Sequence, residues 1–521
     1  MKHFLDWSSY ETAGQGDAYA GIPATGGDFA KAVAVCIGDK QCQRKPKGVM
    51  CPSFRATDDP AHSPGGRVKV LKAALNGELG DDAFADARLA AAMELCVGCK
   101  GCKRECANQV DMAAIKIEYQ AQRNARMGVS WRDRLVASLP QQLRHRHLVR
   151  GLIRWRNRAP WLAQLGERFF GIAAKRKLPE PAVVPFKPDS LLEPNQSLPP
   201  CRGGERSEGA TRKGVESLCD NIPTPTLTLP LHGGGDASVI LFIDTFATHF
   251  EPEIAHAAHQ VLAAAGYNVT PLRPPADDAE PERALCCGRT YLSLGQVDAA
   301  RREAQRMHRA LRPALEAGIP IVGLEPSCIL SLRDDHLKLG LGEEAVALSK
   351  QVYLFEEFIA KEHDRKRFTL EFKPLPQGKT LVHGHCHQKA VGAMKSLRKV
   401  LRLIPEFEFE FIEASCCGMA GSFGLEAEHA AISMQMAELD LLPALRAAPD
   451  AAILANGFSC RHQIREGVQR HPVHVALLLR DALNPDKEKV ASANHPPLEK
   501  GGRGDLISCA IEESTVRQTP C

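Results

Sequence analysis

Cys96-Val-Gly-Cys99-Lys-Gly-Cys102-Lys-Arg-Glu-Cys106 is the stretch that decides how this chain is built. Its four thiols are separated by two, two and three residues. At that spacing a tight loop presents three thiolates to one iron–sulfur cube and leaves the fourth for another cluster. Zinc is the rival, because paired Cys-x2-Cys units also build structural zinc sites. Three successive thiols at this interval, followed by a fourth, favour the cluster. Disulfide-paired or merely buried cysteines are the weakest alternative for a chain that reads as cytosolic. The stretch predicts an electron carrier.

Seven cysteines fall within residues 31–125: Cys36, Cys42, Cys51, Cys96, Cys99, Cys102 and Cys106. Cys51 precedes Pro52, as a remote ligand of this motif does, whereas Cys106 precedes Ala107. By ferredoxin logic one 4Fe–4S cube takes Cys96, Cys99, Cys102 and Cys51. A second would take Cys106, Cys36 and Cys42 and stand one thiolate short. A non-cysteine ligand, or the absence of a second cluster, would resolve the shortfall. Lys100, Lys103 and Arg104 lie in the ligand loop, where cations stabilise the reduced form of an anionic cluster. They also read as ordinary solvated charges. After Cys106, residues 110–122 have helical periodicity, with Met112, Ile115 and Tyr119 on one face.

Residues 237–487 contain an internal repeat. The first copy runs from the apolar strand Val239-Ile-Leu-Phe-Ile-Asp244 through Cys286-Cys287-Gly288 to Ile321-Val-Gly-Leu-Glu-Pro-Ser-Cys328. The second runs from Leu381-Val-His-Gly-His-Cys386-His387 through Cys416-Cys417-Gly418 to Ile453-Leu-Ala-Asn-Gly-Phe-Ser-Cys460. Matching motifs recur at nearly constant separation, which marks a duplicated unit. Helical patterns at 296–316 and 427–447 separate the strands, so each unit reads as a small α/β layer with a largely parallel sheet. The second unit offers Cys386, Cys416, Cys417 and Cys460 at strand-end loops, where parallel sheets build their sites. These four suit an iron–sulfur centre of unusual geometry or a zinc ion. The first unit offers Cys286, Cys287 and Cys328 only; the place matching Cys386 falls near Asp244-Thr245. His385 and His387 flank Cys386 and read equally as metal ligands or as satisfied core histidines. Gly288, Gly418 and Gly421 are expected to permit positive φ beside the metal.

The fold class predicted is α+β multidomain, a helical ferredoxin-type 4Fe–4S domain followed by two repeated α/β cysteine-rich units. The boundaries are a loose N-terminal arm at 1–30, the 4Fe–4S domain at 31–125 and a basic helical segment at 126–178. A flexible linker or insertion follows at 179–236, then the first Cys-Cys-Gly unit at 237–365, the second at 366–487 and a disordered tail at 488–521. Between Arg144 and Lys177 stand ten Arg or Lys residues and one acid, Glu167, interleaved with Trp155, Trp161, Phe169 and Phe170. Such a surface suits anionic lipid or a partner subunit, or is a solvated face whose aromatics fill a local core. Cys201, Cys219, Cys509 and Cys521 receive no role.

Composition excludes several classes. A net charge of +4 on 521 residues is small, and aromatics make up only 6%, so nucleic-acid binding is not expected. No run of 18 apolar residues suggests a membrane-spanning helix, and the first residues lack the apolar core of a secretory signal. The expected location is cytoplasmic, with a peripheral position on the inner face of a membrane as the alternative. No Gly-rich nucleotide fingerprint is evident; Gly418-Met-Ala-Gly-Ser-Phe-Gly424 follows a cysteine pair rather than joining a strand to a helix. The chain is expected to carry no FAD of its own, and no catalytic side chain is assigned.

Residues 36–125 and 237–487 resemble the iron–sulfur subunit, or C-terminal iron–sulfur half, of FAD-linked D-2-hydroxyacid dehydrogenases. Similar proteins include the glycolate oxidase iron–sulfur subunit, the C subunit of anaerobic glycerol-3-phosphate dehydrogenase and heterodisulfide reductase subunits. The resemblance rests on Gly48-Val-Met-Cys-Pro-Ser-Phe54, on Leu95 to Cys106 and on both Cys-Cys-Gly stretches. It implies that a separate FAD-binding oxidase subunit oxidises a D-2-hydroxyacid of the glycolate, D-lactate or D-2-hydroxyglutarate class. Electrons would then pass through this chain toward quinone or another acceptor. The alternative is a heterodisulfide reductase-like thiol/disulfide oxidoreductase using the Cys-Cys-Gly cluster.

Overall fold

The computed structural model describes residues 1–13, 21–44, 48–191, 237–376 and 378–484. Its N-terminal part is helical because its sequence supplies both caps and periodicity. Ser63 accepts from the Gly66 amide at 3.0 Å and opens the Pro64–Leu75 helix. Asp111 accepts from the Ala114 amide at 3.1 Å and opens Met112–Met127, each satisfying a donor that a helix start leaves free. Met112, Ile115 and Tyr119 turn inward together, as their spacing predicts, and pack with Phe29, Leu71, Leu89 and Met93. The arm expected to be loose is held at its described ends. The Glu118 carboxylate accepts from the amides of Phe4 and Leu5 and from Nε1 of Trp7, at 3.1, 2.8 and 3.2 Å. Trp7 is buried against Phe29.

The C-terminal part holds two all-parallel sheets. In the first, β1 (Ser238–Phe242), β2 (Asn268–Pro271), β3 (Ile321–Gly323) and β4 (Val352–Leu354) lie in the order β2-β1-β3-β4. In the second, β5 (Thr380–His383), β6 (Phe409–Phe411) and β7 (Ala452–Ala455) lie in the order β6-β5-β7. The register pairs Ile240 with Ile321 in one sheet and Leu381 with Ile453 in the other. Val239, Leu241, Val322, Val382 and Leu454 share one apolar core with the helices Pro252–Ala264, Phe355–Asp364 and Met394–Leu401. Such continuous burial of β-branched and leucyl strands is what parallel sheets require. In both sheets the chain leaves its first strand to one side and returns on the other, so β1/β3 and β5/β7 form switch points where parallel sheets open crevices.

Three expectations are adjusted. Cys328 and Cys460 are not at strand ends; β3 and β7 finish earlier, and both thiols sit in the first turn of the helices Pro326–Arg333 and Phe458–Val468. The 427–447 pattern divides into Ala430–Glu438 and Leu441–Ala447. The described start of the expected linker is docked: the amides of Ala182 and Phe186 donate to the carbonyls of His249 and Thr248, and Phe186 is buried. The rest of that linker, the tail at 488–521 and Cys201, Cys219, Cys509 and Cys521 lie outside the described residues. The basic segment folds as Trp131–Ala137, Leu139–Gln142, Arg146–Arg158 and Pro160–Phe170.

Candidate functional site

Cys51, Cys96, Cys99 and Cys102 line one small cavity, although Cys51 is far from the others in sequence. Glu105 brings it there. Its carboxylate accepts from the amides of Val49 and Met50 at 2.6 and 2.8 Å, stapling the remote loop onto the helix that carries Cys102. Gly101 makes the contact possible, since a Cβ there would stand 2.8 Å from the Val49 carbonyl oxygen. All four sulfurs are buried and none is in a disulfide. Burial pushes the Cys99 and Cys102 thiols up, so as thiolates they require compensating positive charge.

That charge has two sources. The first is Arg67, fully buried, whose Nη1 donates to Cys51 Sγ at 3.6 Å while Nε and Nη2 donate to the Ala92 carbonyl and Ser53 Oγ, both at 2.8 Å. Among the described residues Arg67 has no carboxylate partner. A buried guanidinium without a counter-anion is costly, and an anionic thiolate cluster supplies the missing charge. The second would be the metal that the thiolates bind. The residues fit an iron–sulfur cube, which would supply one-electron redox chemistry.

Cys36, Cys42 and Cys106 form a second, more open set. Cys36 feels the charge of Cys106, and Cys42 feels those of Cys51 and Cys36. The Gly65 amide donates to Cys42 Sγ at 3.4 Å. No fourth thiol joins them among the described residues.

In the second α/β unit, Cys386, Cys416, Cys417 and Cys460 form a continuous row in which each thiol acts on the next and raises the cost of ionising them together. Cys386 and Cys460 come from the first turns of helices following β5 and β7, whose N-terminal dipoles favour thiolate charge. Gly418 turns the Cys416-Cys417 pair inward at φ +85°. The Lys389 ammonium is held by the carbonyls of Ala414 and Ser415 and acts on all four thiols. The three thiols of the first unit, Cys286, Cys287 and Cys328, are likewise neighbours. Asp244 caps the helix after β1 as His385 caps the helix after β5, so Thr245 and Cys386 each take the first position of their helix.

The histidines are not equivalent. His385 is a helix cap, its Nδ1 accepting from the His387 amide at 3.1 Å. His387 Nε2 donates to the Gly98 carbonyl at 3.1 Å, tying this unit to the Cys96–Cys102 loop. His383, which the sequence did not single out, is 1% exposed with neither ring nitrogen partnered. One nitrogen lies within 4.8 Å of the sulfurs of Cys417 and Cys460. Burial keeps all three rings neutral, taking His385 to about 3. Strand alternation is the signal that points to His383, since it shares the inward face of β5 with Leu381.

The thiol sets converge. Cys386 acts on the Cys99 thiol more strongly than Cys102 does, and Cys99 acts on Cys416. A cavity of ≈ 470 Å³ opens beside them, lined by Cys286, Cys287, Cys328, Cys386, Cys416 and Cys417. Two of the three loop cations are held in ion pairs and are not simply solvated charges. Lys100 donates to Asp334 and Asp335, both at 2.8 Å, and Lys103 to Asp334 at 2.6 Å, so both act as ties to the first α/β unit.

Comparison with known proteins finds family matches over two parts of the chain. Residues 32–111 match the family described as a 4Fe-4S dicluster domain, and residues 380–465 the family described as a cysteine-rich domain. The D-2-hydroxyglutarate dehydrogenase of Pseudomonas putida is 25% identical over 488 residues, covering 86% of this chain and 43% of that protein. The Escherichia coli protein of the same name is 24% identical over 490 residues, covering 85% and 43%. The C subunit of the anaerobic glycerol-3-phosphate dehydrogenase of Escherichia coli is 26% identical over 246 residues, covering 47% and 59%. The chain thus spans less than half the length of the first two. Among the described residues, no helix is long and apolar enough to cross a membrane. The resemblance read from the sequence holds: this chain joins a 4Fe-4S dicluster domain to a cysteine-rich domain, and its relatives are dehydrogenases and a dehydrogenase subunit.

Proposed function

We propose that this chain is the iron–sulfur electron-transfer component of a flavin-linked dehydrogenase. A FAD-binding oxidase partner oxidises a D-2-hydroxyacid of the glycolate, D-lactate or D-2-hydroxyglutarate class, and this chain passes the electrons toward quinone or another acceptor. Cys51, Cys96, Cys99 and Cys102 hold the first cube, and Cys386, Cys416, Cys417 and Cys460 hold the terminal centre. Cys36, Cys42 and Cys106 are placed to hold a further cluster that needs a non-cysteine ligand. The two α/β units are read as copies, the first having lost a ligand at Thr245 and serving as scaffold.

The observation that carries this reading is the contact between the two thiol sets, with Cys99 facing Cys386 and His387 bonded to Gly98. Cys99 and Cys386 are near enough to bias one another's charge, and one hydrogen bond ties their two loops, which is the arrangement an electron relay needs. The protein's part is to bury the thiols, balance them with Arg67 and Lys389, and fix the spacing through His387. Anaerobic mixing of the cluster-loaded chain with D-2-hydroxyglutarate, D-lactate or glycolate should leave its visible absorption unchanged. Adding the FAD partner should bleach it, and Cys99→Ser should abolish the bleaching. Bleaching by substrate without any flavoprotein would sink the reading.

A second reading has its own support. Seven cysteines, Cys96 among them, border the ≈ 470 Å³ cavity, as a thiol/disulfide oxidoreductase would require. A paramagnetic signal evoked by adding a dithiol to the oxidised protein, and lost in Cys386→Ser, would favour it.

A further inference from the structure

We propose that His383 is a nitrogen ligand of the metal centre held by Cys386, Cys416, Cys417 and Cys460, an inference that rests on the cluster reading of those thiols. A buried imidazole normally satisfies at least one nitrogen by hydrogen bonding. His383 satisfies neither, although β5 offers it a dry interior position at 1% exposure. Its ring instead faces Cys417 and Cys460, with ligand atoms of all three within 4.8 Å of one another. His385 and His387, closer to Cys386 in sequence, are occupied by the helix cap and by Gly98. Histidine in place of cysteine on iron raises the reduction potential of a cluster. The centre nearest the cavity is thereby made the better electron acceptor, which sets the direction of flow.

The test uses the full chain, loaded anaerobically with iron and sulfide and labelled with nitrogen-15 at histidine. Pulsed electron paramagnetic resonance of the reduced protein should show a directly coupled histidine nitrogen. His383→Ala should remove that coupling and leave the signal of the Cys96–Cys102 cube. His383→Cys should restore iron content and lower the potential of the centre. A centre that forms without coupled nitrogen, or coupling that persists in His383→Ala, overturns the ligand while sparing the cluster. Iron content unaffected by Cys417→Ser removes the centre itself, and the role of His383 with it.

A second surface carries an independent inference. We infer that the helices Arg146–Arg158 and Pro160–Phe170 dock on an anionic lipid surface. Leu148, Leu152 and Trp155 form one stripe and Trp161, Leu165 and Phe169 another, and all six are exposed, Leu148 at 65% and Phe169 at 69%. Trp155 and Trp161 meet edge to face at 5.9 Å and join the stripes into one ridge. The first helix is inside out. Its polar side chains face the body of the protein: Arg150 donates to the Pro181 carbonyl, Arg156 to the carbonyls of Ala173 and Arg176, and Asn157 to that of Leu178.

Charge selects lipid as the occupant. Arg154, Arg158, Arg168 and Lys175 are exposed beside the ridge and have no ion-pair partner among the described residues. Leucine and tryptophan flanked by cations is the pattern of helices that lie in a membrane interface. The cluster-loaded chain should co-sediment with vesicles of phosphatidylcholine and phosphatidylglycerol, and less so at high salt or with phosphatidylcholine alone. Trp155→Ser with Trp161→Ser and Phe169→Ser should abolish sedimentation. Arg154→Glu with Arg158→Glu and Arg168→Glu should weaken it roughly a hundredfold, since each basic residue near an anionic surface contributes. Both sets should keep the cluster absorption of the parent. Wild-type chain left in the supernatant, or ridge variants that bind unchanged, overturns the inference. So does a dimer, or a complex with the flavoprotein, that the serine variants dissociate while vesicles bind neither form.

Discussion

Arg67 shows how one side chain prepares a site for a charge that it lacks by itself. It lies in the core at 1% exposure, bonded to one carbonyl, one hydroxyl and one sulfur. Each of those partners is a weak counterpart for a full positive charge in an apolar interior. The thiols of Cys51, Cys96 and Cys102 all act to favour its charged form. The guanidinium therefore stabilises the reduced, more negative state of a cluster more than the oxidised one. Arg67→Gln keeps a donor toward Cys51 and removes the charge. The expected result is a cluster that still assembles but whose potential falls by on the order of 60 mV, a tenfold bias for one electron. A redox titration followed by electron paramagnetic resonance measures this, and an unchanged potential would show that Arg67 acts through packing alone.

At the scale of elements, the Cys-Cys-Gly turn is a packing device as much as a ligand donor. Gly418 has φ +85°, and a Cβ there would stand 2.2 Å from the Ser433 carbonyl oxygen of the Ala430–Glu438 helix. Gly288 repeats the arrangement at φ +77°, with the Ala300 carbonyl oxygen at 2.8 Å. Gly421, at φ +71°, faces nothing within 4 Å. Gly418→Ala should therefore cost about 3 kcal/mol or more, from backbone strain plus a backbone clash. Gly421→Ala should cost about 1 kcal/mol, from φ alone. Denaturant unfolding of the two variants measures the difference, and equal losses would refute the role of the helix contact. Elements like these were legible in the sequence because their chemistry is local. Cys96 to Cys106 encode their geometry in spacing, and the strands around Val239 and Leu381 announce themselves by apolar runs. The position of Thr245 could be read from the spacing of the repeat, whereas Arg67 and His383 were not legible as site positions, since their meaning depends on partners brought from elsewhere by the fold. The same is true of residues 1–13, whose amides find Glu118; Cys328 and Cys460 were legible as candidate ligands, but not as residues that a short strand hands on to a helix. The outward ridge at 148–169 could be read as amphipathic, but not as turned inside out.

Across the whole molecule, the cube-binding loop is tied to the first α/β unit by a chain of alternating charges. Asp111, Lys103, Asp334, Lys100, Asp335 and Arg289 follow one another, with Lys103 3.1 Å from Asp111 and Arg289 2.7 Å from Asp335. The first unit has one thiol fewer than the second, yet it supplies this anchor, which accounts for its presence beside the cube whether or not it binds metal. Burial pushes the Asp335 carboxyl up, but Lys100 and Arg289 more than offset it and hold the group well below the usual carboxylate range. A depressed folded-state value means stability that is present above the unfolded value of about 4 and is lost as pH falls below it. Asp335→Asn leaves Lys100 and Arg289 with less negative charge in a buried place, a change that typically costs about 3 kcal/mol or more. The variant should unfold at lower denaturant than the parent at pH 7, and the gap should narrow progressively below pH of about 4, where the Asp335 carboxyl of the unfolded parent takes up a proton that the folded one does not. Unfolding is followed by tryptophan fluorescence on the cluster-loaded chain, with Lys103→Met as a second cut through the same network. Lys103 is partly exposed, so its loss should cost less, about 1 kcal/mol, and should share the same acid dependence through Asp334. A gap that stays constant down to pH 3 would mean that Asp335 stabilises the anchor by hydrogen bonding to Ser331 and packing, not by its charge.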